Sequence, residues 1–337
     1  ASQETCPSPS TIPLAGGQMD RRPEPCVRRQ AKEAAMHGVA TRQDRRLGYA
    51  ARGNSSTRVT IVLLALALGL STLSFFLGPA DIAPADLIAG LFSDHGSASV
   101  IAREIRLPRA LLALFVGAAL GASGAALQGL FRNPLAEPGI TGVTSSAGLG
   151  AVIALYFGLA TLSAAVLPAC AVAGALVSAA ILYFLSRAGA GVMALVLAGV
   201  AIASLATALT ALALSLAPNP YAMSEMVLWM MGSLKDRTLA DLTFAVPLTV
   251  AGIALLASAA RGLDALTLGE EAAHSLGIDV GSVRRRVVFG VALATGAATA
   301  AAGAVSFVGL VVLHLLRPFY GYEPARLILP SALGGAA

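Results

Sequence analysis

Charged side chains are scarce in this sequence. Only 12% of its 337 residues are Asp, Glu, Lys or Arg, whereas 56% are hydrophobic. A soluble domain usually carries about a quarter charged residues, so most of this chain must face something other than water. Aromatic residues are also few, at 5%, and the apolar side chains are mostly Ala, Leu, Val and Gly. This composition predicts an all-α bundle of closely packed membrane helices rather than a membrane β-barrel, in which apolar and polar residues would alternate.

Cysteine and lysine are also in short supply. The three cysteines, Cys6, Cys26 and Cys170, have neither metal-ligand spacing nor a disulfide pattern, so no metal site is predicted. Neither of the two lysines, Lys32 and Lys235, follows a glycine. The chain therefore lacks the G-x-x-x-x-G-K-[ST] loop that binds ATP. If ATP drives this protein, another subunit must hydrolyse it, and this chain is not itself an enzyme.

Long apolar runs define the predicted topology. A bilayer core needs about 20 apolar residues per helix. Seven runs are of this kind, and an eighth begins near Leu327; the seven cover residues 59–77, 110–131, 139–157, 162–185, 192–216, 242–260 and 287–313. Residues 58–337 are therefore predicted to form one transmembrane domain with seven to eight spans. The first run is long for a signal peptide and no cleavage site follows it, so we expect a retained span.

The interiors of these predicted spans contain no ionisable residue. A proton-coupled carrier usually needs titratable groups at membrane depth, so their absence argues against that class. A sodium-coupled secondary carrier, which can use carbonyl and hydroxyl oxygens, stays open as an alternative. It would show inverted repeats that flank broken helices, and no clear internal repeat is visible.

The N-terminal tail carries the excess positive charge. Residues 1–57 are rich in Ser, Pro, Arg and Gln without an apolar periodicity, which predicts disorder. Residues 1–58 hold ten Lys or Arg against five Asp or Glu, and the rest of the chain is balanced. A basic segment before a first span indicates cytoplasmic retention rather than binding to nucleic acid. We therefore expect a cytoplasmic N-terminus, with Met19 or Met36 as a possible true start.

Small residues recur every four positions in the second span. They are Gly117, Gly121, Ala125 and Gly129. On a helix this spacing places them on one face, where a neighbouring backbone can approach closely. The pattern predicts a tight helix–helix contact along this face.

A short polar segment separates the sixth and seventh predicted spans. Thr267 and Glu270 have the spacing of a capping box, and Gly277 is well placed to end a helix. The segment 266–277 is therefore predicted to form an amphipathic cytoplasmic helix. Its apolar face would consist of Leu268, Ala272, Ala273 and Leu276. The alternative on physical grounds is an interfacial helix that lies on the membrane.

Four blocks, in this order and spacing, resemble the FecCD-type permeases of ABC importers for ferric siderophores, haem and vitamin B12. The resemblance begins near residue 60 and continues to residue 337. The blocks are residues 106–109 (Arg-Leu-Pro-Arg) with 117–128; 133–139 (Asn-Pro-Leu-Ala-Glu-Pro-Gly) with 142–146; 197–200 with 229–234; and 268–277 with 303–310 and 314–317. The run around Asn133 and the Gly-Ser-Leu after Trp229 are closest to haem permeases.

The resemblance implies a type II ABC importer transmembrane domain in the bacterial inner membrane, with about ten spans per subunit in the family. It implies a homodimer, two cytoplasmic ATPase subunits that hold ATP and Mg, and a periplasmic binding protein. This chain would bind no cofactor itself. Transport would proceed by alternating access at the homodimer interface, with haem favoured as substrate, ferric siderophore next and cobalamin third.

The resemblance also assigns roles to individual residues. Asn133, Pro134 and Leu135 match the cytoplasmic gate, although Asn-Pro also reads as a tight turn. Arg106 and Arg109 match arginines that dock the binding protein, although anchoring to lipid headgroups is an alternative. The ATPase-coupling helix would comprise Leu268, Gly269, Glu270, Glu271, Ala272, Leu276 and Gly277.

The family pattern continues beyond Ala337 through further spans. We therefore expect that this chain lacks C-terminal spans of the family. A non-transporting, truncated permease is the third alternative, beside an importer and an ion-coupled carrier.

Overall fold

The structure, a computed structural model, describes residues 56–93 and 95–337. The predicted disordered tail, with both candidate start methionines, lies outside the described residues except for Ser56 and Thr57. Residues 57–337 form one compact unit. The described ranges contain helices and connecting segments but no strand. The predicted all-α class is confirmed.

Helices form most of the described chain. They are α1 Ser56–Phe76, α2 Pro84–Phe92, α3 Ser97–Val100, a π-helical turn Ile101–Arg106, α4 Leu107–Phe131, α5 Val143–Tyr156, α6 Val166–Arg187, α7 Val192–Ser215, α8 Pro220–Met231, α9 Leu239–Thr267, α10 Glu270–Ser275, α11 Val280–Ala302, α12 Val308–Tyr320 and α13 Pro324–Ala336. The helices α3 and α4 join through the π-helical turn into one helix, Ser97–Phe131. Together with α1, α6, α7 and α9 it is long and apolar enough to cross a membrane.

The predicted single span over 287–313 is wrong. Helix α11 ends at Ala302, residues 303–307 are not helical, and α12 begins at Val308. Gly303 has a φ of 77°, and a Cβ there would meet the Cα of Gly232 at 2.5 Å. The chain breaks here because its backbone packs directly on the residue that follows α8. The sequence reads as one apolar run because this break contains no proline and no charge.

Helix α4 is the centre of the bundle, and its small-residue face packs against α13. A Cβ on Gly117 would collide with the carbonyl oxygen of Gly335, and a Cβ on Gly121 with that of Ser331. Near the end of α4, a Cβ on Gly129 would meet the Pro324 ring at 2.9 Å. Since the partner numbers fall as the α4 numbers rise, the two helices are antiparallel. Glycine is required here because the two backbones touch.

The outer surface of the bundle is apolar. In their most apolar segments only 11% of α1 and 17% of α7 is buried within the chain. Their exposed side chains include Leu66, Leu70, Leu205 and Leu212. Such extended apolar surfaces do not face water in soluble proteins. They fit contact with lipid or with other membrane-embedded protein surfaces.

Candidate functional site

The segment after α9 forms a short helix, as predicted, but it starts differently. Thr267 is the last residue of α9, and its hydroxyl donates to the carbonyl oxygen of Asp264 at 2.6 Å. Helix α10 begins only at Glu270, after Gly269 with a φ of 110° and without a side-chain cap. The predicted capping box is therefore wrong. Helix α9 continues past the predicted end at residue 260 because Leu263 and Leu266 are buried in the core.

The predicted end of α10 at Gly277 matches the structure. Gly277 has a φ of 77°, and its N–H donates to the carbonyl oxygen of His274 at 2.9 Å. The N–H of Ile278 donates to the carbonyl oxygen of Ala273 at 3.0 Å. These two bonds form a Schellman motif, which requires the left-handed conformation that glycine adopts without strain.

The apolar residues of this segment do not share one face. Ala273 is fully buried against the bundle, whereas Leu268 and Leu276 are 69% and 63% exposed. We call Leu268, Leu276 and the helix between them the coupling segment. Ala273 anchors it to the bundle, and its two leucines project away from the bundle as an apolar pair.

An ion pair ties the coupling segment to the bundle. Nη2 of Arg284, in α11, lies 2.5 Å from Oε1 of Glu270, and the Arg284 side chain is only 12% exposed. Nη1 of the same guanidinium lies 3.5 Å from the Ser186 hydroxyl oxygen at the end of α6. A force on α10 would thus reach α11 and α6 through one largely buried side chain. The sequence shows three consecutive arginines here and does not distinguish which of them pairs with Glu270.

The predicted gate residues form a tight turn at the end of α4. Arg132 is left-handed, with a φ of 49°, and Asn133 N–H donates to the carbonyl oxygen of Gln128 at 3.2 Å. The Asn133 side-chain oxygen accepts from the Leu135 N–H at 2.9 Å. This Asx turn explains why asparagine stands there. Leu135 is 63% exposed. We call Asn133–Leu135 the gate segment.

A cavity of about 470 Å³ lies beside the gate segment, where α4, α9 and α12 end. Two polar residues on its wall, Gln128 and Arg317, were not predicted as site residues. Nη2 of Arg317 donates to Oε1 of Gln128 at 2.5 Å. The Arg317 guanidinium also lies 5.3 Å from the Tyr322 ring centroid. A glutamine in a helix otherwise made almost entirely of apolar and small residues was the signal that could have found this pair.

At the opposite end of α4, the two predicted docking arginines occupy different environments. Arg106 is 5% exposed, and its guanidinium donates to the carbonyl oxygens of Phe76 at 2.8 Å and Ala80 at 2.6 Å. It satisfies carbonyls at the end of α1, where cations are favoured. A Cβ on Gly78 would meet this guanidinium at 2.9 Å. Arg106 is therefore not displayed to a partner, contrary to the prediction, whereas Arg109 is exposed.

Comparison with known proteins connects this architecture to a family. Residues 63–337 match the FecCD transport family. The chain is 40% identical over 248 residues to the cobalamin import system permease protein BtuC of Halobacterium salinarum. This match covers 72% of this chain and 65% of that protein, so the chain spans less than two thirds of that protein's length. It is 42% identical over 237 residues to the hemin transport system permease protein HmuU of Yersinia pestis, covering 69% of this chain and 71% of that protein.

A solved structure has the same fold. It is described as a metal-chelate type ABC transporter in an inward-facing conformation, and it matches with a TM-score of 0.72 at 27% identity. The match covers 83% of this chain and 87% of that chain. Fold and sequence together define a multi-pass membrane permease, the transmembrane subunit of an ABC transporter and not an enzyme. Within that class, the chain belongs to the FecCD transport family.

Proposed function

We propose that this chain is the membrane-spanning subunit of an ATP-driven importer of haem. It works as a homodimer with two cytoplasmic ATPase subunits and a periplasmic binding protein, and it moves ligand by alternating access at the dimer interface. The observation that carries this proposal is the coupling segment. It displays Leu268 and Leu276 away from the bundle while Glu270 pairs with the largely buried side chain of Arg284.

The coupling segment suits a docking role because its two leucines are exposed while the helix between them is attached to the bundle. Exposed leucines beside a helix too short to span a membrane fit an apolar groove on a partner. Gly269 and Gly277, both at positive φ, let the chain turn sharply at each end of α10. The other residues assigned to ATPase coupling, Glu271 and Ala272, lie on α10 between these turns. An interfacial helix that only lies on the membrane would not need an ion pair to α11.

The orientation of the chain in the membrane follows from this docking role. If the coupling segment meets an ATPase, the end of the bundle with α10 and the gate segment faces the cytoplasm, and the end with Arg109 faces the periplasm. The first helix then has its N-terminus in the cytoplasm of a bacterial inner membrane. On the periplasmic side, exposed Arg109 is the residue assigned to acidic groups of a binding protein, because arginine pairs with carboxylates in a fixed geometry.

Haem is the proposed substrate, with ferric siderophore next and cobalamin third. The support is the 42% identity to a hemin permease. The 40% identity to a cobalamin permease keeps the third candidate close. The apolar wall of the bundle offers few strong ligands, so substrate selection is assigned to the binding protein rather than to this chain.

The test is uptake into proteoliposomes that contain the full chain with its cognate ATPase and binding protein. Uptake of radiolabelled haem, a ferric hydroxamate and cobalamin is measured under three conditions. These are with ATP, without ATP, and with a sodium or proton gradient alone. We expect ATP-dependent uptake of haem and no uptake driven by either gradient. Uptake driven by a sodium gradient without the ATPase would support a secondary carrier instead. A folded dimer that transports none of the ligands would support the non-transporting alternative.

A further inference from the structure

Two irregular segments of the chain meet beside the middle part of α4. One is the loop between α4 and α5, and the other is the segment 303–307 between α11 and α12. Oε2 of Glu137, in the first, accepts from the N–H of Phe307, in the second, at 3.3 Å. Both line a small pocket together with Leu120 of α4. Glu137 therefore connects two irregular segments that lie far apart in the sequence.

The depth of this contact follows from its neighbours. A Cβ on Gly309, in the first turn of α12, would meet the carbonyl oxygen of Leu120 at 2.6 Å and the Cα of Gly124 at 3.1 Å. Leu120 and Gly124 lie in the middle part of α4, a 25-residue helix. At 1.5 Å per residue, Gly124 is about 10 Å inside the end of α4. Helix α12 thus begins level with the middle part of α4 rather than with its end, although the Phe307 side chain is 65% exposed.

The start of α12 needs an external hydrogen-bond acceptor. The first N–H groups of a helix have no partner within it. Phe307, the N-cap residue, provides no side-chain cap. The Glu137 carboxylate supplies an acceptor, and its charge is favoured at the positive end of a helix.

Phe307 also has a strained backbone. Its φ is 68°, in the left-handed region, which is unfavourable for a residue with a side chain. Such a conformation persists only where the surroundings fix it. The fixing contacts include the Glu137 carboxylate and the close approach of Gly309 to α4. Residues in strained backbone conformations cluster at functional sites and switch regions of proteins.

The gate segment is bracketed by two hydrogen bonds to the same helix. Before it in the chain, Gln128 accepts from Arg317 near the end of α12. After it, Glu137 accepts from Phe307 at the start of α12. The stretch from Gln128 to Glu137, which contains the gate segment, is therefore joined to one helix near both of its ends. A shift of α12 along or around its axis would carry both attachment points with it.

We propose that Glu137 is the positioning residue that fixes the gate segment to α12, so that segment and helix move as one body during transport. This proposal rests on the proposed importer function for its consequence, but the attachment itself is a property of the fold. Without the carboxylate, the loop after Asn133 loses its tie to the start of α12, and only the Gln128–Arg317 contact, made from α4 itself, is kept. Helix α12 can then move while the gate segment does not follow.

The test compares Glu137→Ala, Glu137→Gln and a control, Glu225→Gln, in the reconstituted full complex. Glu225 is an exposed carboxylate in α8 outside all the sites above. Glutamine keeps an acceptor oxygen, whereas alanine removes it. The first readout is hydrogen–deuterium exchange at the amides of 307–311, and the second is ligand taken up per ATP hydrolysed.

We expect Glu137→Ala to speed exchange at 307–311 about ten-fold, as befits the loss of a hydrogen bond to a charged group. Uptake per ATP should fall by a similar factor while ATP hydrolysis continues. Glu137→Gln should keep most of both, and Glu225→Gln should match the wild type. Unchanged exchange in Glu137→Ala, or unchanged uptake per ATP despite faster exchange, would overturn the proposal. If the wild type imports nothing, the importer function fails, and the exchange result still decides the attachment.

Discussion

The Glu270 carboxylate, at the first residue of α10, lies 2.5 Å from the guanidinium of Arg284 in α11. Arg284 is nearly buried, and the same guanidinium approaches Ser186 at the end of α6. One side chain therefore connects the coupling segment to two long helices of the bundle. A contact of this kind can transmit a displacement, because partners that are packed and paired must move together.

Breaking this pair should uncouple hydrolysis from transport. For Glu270→Gln we expect ATP hydrolysis to continue while uptake per ATP falls about five-fold, equivalent to a coupling energy near 1 kcal/mol. The measurement is simultaneous ATPase and uptake assays in proteoliposomes. The charge-swapped double variant Glu270→Arg with Arg284→Glu is the control and should recover part of the loss. Coupled uptake at the wild-type ratio in Glu270→Gln would remove the ion pair from the mechanism.

The contact between α4 and α13 should not accept a methyl group. Gly121→Ala places a Cβ against the Ser331 carbonyl oxygen, so we expect a loss of about 1–3 kcal/mol in stability from overpacking. Gly148→Ala in α5, where nothing lies within 4 Å of the added carbon, is the matched control and should be neutral or slightly stabilising. Thermal unfolding in detergent, followed by circular dichroism, compares the two. Equal midpoints for both variants would contradict the backbone contact.

The two arginines of the 106–109 block should separate into a structural and a docking residue. Arg106→Ala leaves the Phe76 and Ala80 carbonyl oxygens without their donor and should lower stability by about 1–3 kcal/mol. Arg109→Ala should leave the unfolding midpoint unchanged and weaken affinity for the binding protein, more at low salt than at high salt. Unfolding and binding assays on both variants decide this. A stable Arg106→Ala protein with weakened docking would restore the family-based assignment.

The Gln128–Arg317 pair should behave as a coupled unit. Arg317→Leu leaves Oε1 of the buried Gln128 without its donor, which should cost about 1–3 kcal/mol. The double variant Gln128→Leu with Arg317→Leu should lose less than the two single changes combined, because the unpaired amide is then removed. A double-mutant cycle on unfolding free energies in detergent measures the difference. Strict additivity would show that the two side chains do not interact.

Much of the fold was predictable because a helix that crosses lipid must be apolar over about 20 residues. Most predicted spans correspond to helices of the bundle, since apolar length alone defines a membrane helix. The break at 303–307 was not predictable in this way, because it depends on Gly303 packing against Gly232. The same holds for α10, whose true start is decided by the burial of Leu263 and Leu266 in α9. Local spacing around Thr267 could not reveal this tertiary contact.

The site residues show a similar division. The spacing of Gly117, Gly121 and Gly129 predicted a close contact but not its partner, since α13 lies some two hundred residues away in the sequence. The role of Arg106 was assigned from resemblance, and only the fold shows that its guanidinium points at the end of α1. The sequence predicted no role for Glu137. Its contact with Phe307 depends on the fold, which brings together the loop after α4 and the segment before α12.

The most direct test of the central claim is binding of the cognate ATPase to the coupling segment. The variants are Leu276→Asp and Leu268→Asp, with Leu197→Ser as control, an exposed leucine on the membrane-spanning helix α7. Complex formation is measured by affinity co-purification in detergent and by the affinity for the nucleotide-bound ATPase. We expect at least a ten-fold loss of affinity, about 1.4 kcal/mol, for either aspartate and none for the control. Wild-type affinity in both aspartate variants would contradict the assignment of this segment to ATPase coupling.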